Sequence, residues 1–119
     1  MTISTNYPPN TSYNLQATVA NTQTVSVAVD LFGNVLAGIF IPAEFDGTEI
    51  TFQTSPTLDG TYVAVRNGDG SNFAITTQAS RYEPIRTLGV FAAVRFLRVV
   101  CTTAQTGATT FTLATRPIM

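Results

Sequence analysis

Apolar residues in this chain recur at every second position in short runs. Gly, Pro, Asn, Asp or Ser cuts off each run before a helical stripe could form. In "TVSVAVDL", Val25, Val27, Val29 and Leu31 alternate with Thr24, Ser26, Ala28 and Asp30, the pattern of a half-buried strand. "FGN" then turns the chain. "VLAGIFI", residues 35–41, is apolar on both faces and reads as a strand that is central or covered on both sides, stopped by Pro42. "EITFQTS" places Ile50 and Phe52 on one face and Thr51 and Gln53 on the other.

Two Asp-Gly pairs punctuate the next stretch. "TYVAV" follows Asp59-Gly60 and "NFAIT" follows Asp69-Gly70. Asp-Gly favours type I′ hairpin tips because both central positions need positive φ. Residues 52–75 therefore read as three consecutive strands. "RYEPIR" is extended, and Pro84 assigns it to a sheet edge. "TLGVFAAV" predicts a single helical turn, while "RFLRVVC" (95–101) and "TTFTLATR" (109–116) predict strands. Residues 13–20 add one more. Many short strands at hairpin spacing, with no long helical pattern, predict an all-β antiparallel sandwich over residues 13–119. Residues 1–12, polar and stiffened by Pro8-Pro9, read as an extended N-terminal arm.

Composition narrows the chemistry. The 119 residues are the size of one domain, and only 11% are charged, against about 25% in typical soluble domains. The surface must be dressed in Thr, Ser, Asn and Gln, which suits strands and interfaces. A net charge of −1 offers no field for a nucleic-acid backbone. No apolar run is long enough for a membrane-crossing helix, and the start has neither the basic nor the apolar region of a signal peptide. Cys101 is the single cysteine and reads as a buried, inert thiol.

The chain has no His and no Lys, which removes His-based triads, Schiff bases and His metal sites. Glu44, Asp46, Glu49 and Glu83 remain as carboxylates for glycoside cleavage, but three of them sit in one loop, "PAEFDGTE". Calcium needs six to eight oxygens. "RNGDGSN" and "SPTLDGT" hold one carboxylate each, so turn formation is the expected role of both. Neither an enzyme nor a metal or cofactor site is expected. Phe40, Phe52, Phe96 and Phe111 fall on strand faces and are assigned to the core. Tyr62, Phe73 and Tyr82, near turns or edges, and Tyr7, Pro8 and Pro9 of the arm, are the candidate partner contacts.

From Val25 onward the pieces run "SVAVDLFGNVLAGIFIPAEFDGTEITFQTSPTLDGTYVAV", a Gly-rich turn with "FAI", "YEPI", "VFAAVRFLRVVCTT" and "TTFTLATR". This order resembles short all-β virion proteins of tailed bacteriophages, over residues 24–116. The middle is similar to galactose-binding-like jelly rolls, in which a "D-G-x-x-Y" hairpin precedes an "R-F/Y-L/V-R-I/V" strand. The resemblance implies a jelly-roll-like sandwich located in the virion, most concretely a capsid decoration (cement) protein. Its implied partners are the major capsid protein and further copies of itself, as a homo-oligomer such as a trimer. Alternatives are a glycan- or receptor-binding head-fibre or tail module, and a neck or head–tail connector component.

Overall fold

A computed structural model describes residues 13–117. Nine strands and one 3-10 turn follow in order. The strands are β1 (Tyr13–Val19), β2 (Val29–Asp30), β3 (Asn34–Ile41), β4 (Glu49–Ser55), β5 (Val63–Ala64), β6 (Ala74–Thr76), β7 (Arg81–Pro84), β8 (Phe96–Cys101) and β9 (Thr109–Pro117); the 3-10 turn, Leu88–Phe91, precedes β8. They form two antiparallel sheets, β1-β9-β3-β7 and β2-β8-β4 with β5 and β6 along the far edge of β4. The expected all-β sandwich is the observed fold.

β5 and β6 are two halves of one strand. Thr54 pairs with Val63 and Gln53 with Ala64, the Val65 amide donates to the Phe52 carbonyl (2.9 Å), and Thr51 then pairs with Ala74. Successive β4 residues thus meet residues 63–65 and then 74–76 in the same direction. Residues 66–73 leave the sheet and return, their neck closed by the Phe73 amide donating to the Val65 carbonyl (2.9 Å). With β5 and β6 merged, each outgoing strand pairs with its return partner: β1 with β9, β2 with β8, β3 with β7, β4 with β5/β6. That nested order is one long hairpin rolled into two sheets, the jelly-roll arrangement. Residues 52–75 are therefore not three separate strands. They are β4, the tip of the long hairpin and one interrupted return strand.

The Asp-Gly pairs also differ from expectation. Among the described residues, Gly60 and Asp69 do not have positive φ, and Gly70 does (φ 90°). The Gly70 amide donates to the Asn67 carbonyl (3.0 Å), giving a tight turn closed by a left-handed glycine. Gly60 is required by crowding instead, because a Cβ there would strike the hydroxyls of Ser55 and Thr57. The turn with two positive φ values is at Phe32 (56°) and Gly33 (82°), where the Asn34 amide donates to the Leu31 carbonyl (2.9 Å).

Between Val25, bridged to Val100, and Val29, paired with Leu97, three residues stand opposite two. This bulge changes which side chains face inward. Ser26 is buried and Val27 is exposed, against the alternation read from the sequence. The Ser26 amide donates to the Val99 carbonyl (2.9 Å), and the Val99 amide donates back to Ser26 Oγ (2.9 Å). A hydroxyl replaces a ladder carbonyl at this point. A second irregularity between Leu36 and Gly38 in β3 directs Leu36, Ile39 and Ile41 inward and leaves Phe40 outside. β3 is central in its sheet but not covered on both faces.

The core lies between the sheets. Phe52, Phe91 and Phe111 are fully buried, with Leu31, Leu36, Ile39, Ile50, Leu97 and Leu113 around them. Phe91, on the 3-10 turn, meets Phe52 (5.2 Å between ring centroids, 83°) and Phe73 (5.2 Å, 88°) edge to face. The turn after β7 thereby closes one end of the sandwich.

Replacing Ser26 with Ala removes the acceptor of the buried Val99 amide, so unfolding in urea should show a loss of about 1–3 kcal/mol. An unchanged denaturation midpoint would mean that amide is satisfied elsewhere.

Candidate functional site

Cross-strand pairing places the outward side chains of the β1-β9-β3-β7 sheet in rows. One row is Asn14, Ala114, Gly38 and Pro84; the next is Gln16, Thr112, Phe40 and Tyr82. Phe40 and Tyr82 are each 46% exposed, and their rings meet at 4.7 Å between centroids, tilted by 48°. Tyr82 lies across Gly38, where any Cβ would collide with its ring. The missing side chain makes the floor on which the tyrosine rests. Asn14, Phe40, Tyr82 and Ala114 line a shallow concavity of about 510 Å³. It is uncharged, with two aromatic rings on one side and a carboxamide on the other.

The remaining candidates separate from this face. Phe73 packs against the core beside Phe52 (6.0 Å) and Phe91. Tyr62 lies beneath the Arg98 guanidinium, 4.0 Å from its ring centroid, and donates its hydroxyl to the Leu58 carbonyl (2.9 Å). Tyr7, Pro8 and Pro9 lie outside the described residues. Of the three described candidates only Tyr82 belongs to an exposed aromatic pair. Its companion Phe40, assigned to the core from the sequence, is a surface residue because of the β3 irregularity. Phe52 and Phe111 are buried as expected, and Phe96 is half-buried beneath Arg95.

Phe32, away from that pair, is also exposed, 71% accessible at a left-handed backbone position. Such a conformation is uncommon for a bulky side chain. Its amide donates to Asp30 Oδ1 (2.8 Å), and Asp30 accepts two bonds from Arg95 (3.1 Å each). The Arg95 bond holds the Asp30 carboxyl below its ordinary value. A Gly one residue later, as in "FGN", was the only local signal.

A polar latch joins the loop after β3 to the loop before β9. Gln105 is buried; its Oε1 accepts the Asp46 amide (3.0 Å) and the Thr109 hydroxyl (2.9 Å), and its Nε2 donates to the carbonyls of Asp46 (2.8 Å) and Thr103 (2.9 Å). The Asp46 carboxylate accepts the hydroxyl (2.8 Å) and amide (3.0 Å) of Thr106, which hold its pKa below 3.8. Asp69 is held low in the same way by the Ser71 hydroxyl and amide.

These carboxylates are thus occupied by local hydrogen bonds. Glu83 accepts the Thr77 hydroxyl (2.7 Å) and lies 3.7 Å from Arg81. Among the described residues, no three His, Cys, Asp or Glu side chains are grouped so as to hold a metal ion. No helix among them is long and apolar enough to cross a membrane. No protein-family model matches the chain, and no curated protein matches it either.

The lowered pKa values of Asp30, Asp46 and Asp69 fix a pH window. Their folded values lie below the unfolded one, so their stabilisation is present above that value and lost as pH falls through the folded values. The melting temperature should drop on acidification below 3.8, and Asp46→Asn should flatten that drop; an identical acid profile in the variant would exclude the Thr106 contact as its source.

Burial pushes the Cys101 thiol up to about 11. Thiol reagents at neutral pH should leave the folded protein unlabelled and react fully only in denaturant. Rapid labelling of the native protein would contradict this burial.

Proposed function

We propose that this chain is a non-enzymatic structural protein of a tailed bacteriophage particle, most concretely a capsid decoration protein. It binds the outer shell and bridges capsid subunits. One observation carries this role: the exposed Phe40–Tyr82 pair, with the uncharged residues Asn14, Gln16, Thr112 and Ala114 next to it on the same sheet face. Aromatic anchors in a desolvated centre with an uncharged polar surround suit attachment to another protein. The sequence resemblance to virion proteins supports the setting. The low charge of the chain supports a life packed against neighbours.

A second role is favoured by the same concavity. Two aromatic rings facing the carboxamide of Asn14 suit stacking and hydrogen bonding of a sugar ring, as in a glycan-binding fibre module.

Purified protein should bind expanded, undecorated capsids of its phage. Phe40→Ala and Tyr82→Ala should each weaken that binding about tenfold or more, or about 1.4 kcal/mol. Absence of binding to such capsids refutes the decoration role. Binding to a glycan array that is lost in the same two variants would establish the sugar-binding role instead.

A further inference from the structure

Three of the four sheet edges carry devices that discourage the addition of another strand. β7 presents Arg81, Glu83 and Pro84. β2 has two residues and follows the bulge at 26–28. The β5/β6 edge is broken by the excursion of residues 66–73. Charge, proline, bulges and short length are the usual protections of an edge. β1 has none of them: its seven residues, YNLQATV, are uncharged, contain no proline and pair with β9 in unbroken register.

Backbone direction identifies what this edge offers. The Thr18 carbonyl accepts the Val27 amide (3.1 Å) on the side away from β9. In an antiparallel strand the amide and carbonyl of one residue point the same way, and successive residues alternate. Asn14 and Gln16 therefore aim their backbone groups at the same open edge. Among the described residues, nothing bonds to those groups.

We infer that β1 is the edge through which two copies of this chain pair, antiparallel, about a two-fold axis at Leu15. Residues opposite one another share a sheet face, so this register sets Asn14 against Gln16 on each side of the axis. The amides and carbonyls of both residues in both copies are then satisfied. Leu15, half-buried on the core side in a single copy, meets its own symmetry mate. The Asn14 and Gln16 side chains meet on the outer face as carboxamides, each able to donate and accept. Moving the axis to Gln16 would set Asn14 against Thr18, whose carbonyl is already engaged by Val27. The occupant is a second copy because this uncharged strand is complementary to itself in antiparallel pairing, the requirement of a two-fold interface. The result joins two four-stranded sheets into one continuous sheet. Nothing in it depends on the virion role, and the solution test below needs no capsid.

Light scattering on the full-length protein across a dilution series should show a monomer–dimer equilibrium. Gln16→Pro removes an amide that points only at the open edge, so it should weaken dimerisation at least tenfold while the monomer stays folded. If that variant unfolds, the Asn14→Lys/Gln16→Lys double variant supplies the same test through like charge with the backbone intact. Leu15→Cys should form a reducible covalent dimer, since facing residues of a non-hydrogen-bonded pair have Cα atoms about 4.5 Å apart, within disulfide range. A monomer at every concentration overturns the proposal. So does a dimer that survives both edge variants and fails to crosslink through position 15. Slow exchange of the Asn14 and Gln16 amides in a monomer would assign the edge to another segment of the same chain and also overturn it.

Discussion

The core-facing side of each strand must stay apolar along its length, and everything else in this sandwich is adjusted to that requirement. Side chains alternate faces with a period of two, so a single inserted residue exchanges inside and outside for the rest of a strand. Among the described residues such insertions occur in two places. The bulge at 26–28 turns Val29 and Leu31 inward opposite β8, with the Ser26 hydroxyl completing the ladder. The irregularity at Ala37 keeps Leu36, Ile39 and Ile41 in the core and sends Phe40 outward. The exposed aromatic face is thus a consequence of how β3 remains in register with the core.

The ends of the sandwich are closed by different physics. One end is apolar: Phe91 and Phe73 approach Phe52 through edge-to-face contacts. The latch is polar, with Gln105 buried and satisfied through both atoms of its carboxamide. A buried carboxamide is tolerated when its hydrogen-bonding capacity is met, and here it also ties two loops separated widely in sequence. Charge contributes locally at the surface, as Asp30–Arg95 fixes the turn that presents Phe32.

The proposed role rests on surfaces rather than on reacting groups. Three carboxylates noted in the sequence are engaged in turns and loops: Asp46 by Thr106, Glu83 by Thr77, Asp69 by Ser71. Among the described residues, an exposed aromatic pair on one sheet face and the unprotected edge β1 belong to the same sheet. Asn14 belongs to both, through its side chain on the face and its backbone at the edge. A partner held on the face and a second copy held at the edge would therefore be neighbours.

Alternation and turn residues in the sequence determined the fold class, the positions of β1, β3, β4, β7, β8 and β9, the 3-10 turn and the edge position of Pro84, because strand period and backbone restrictions are local. They also determined that His and Lys chemistry is absent. Only the tertiary structure decided that residues 63–76 make one interrupted strand, that Phe32 and not the Asp-Gly pairs occupies the turn with successive positive φ values, and that Phe40 is exposed while Phe73 packs on the core. Those outcomes depend on which strand lies opposite and where an extra residue is absorbed, and neither is encoded in the spacing of a single segment. Tyr82 was legible as a surface aromatic near an edge. Its pairing with Phe40 across Gly38 required three strands to be brought into register.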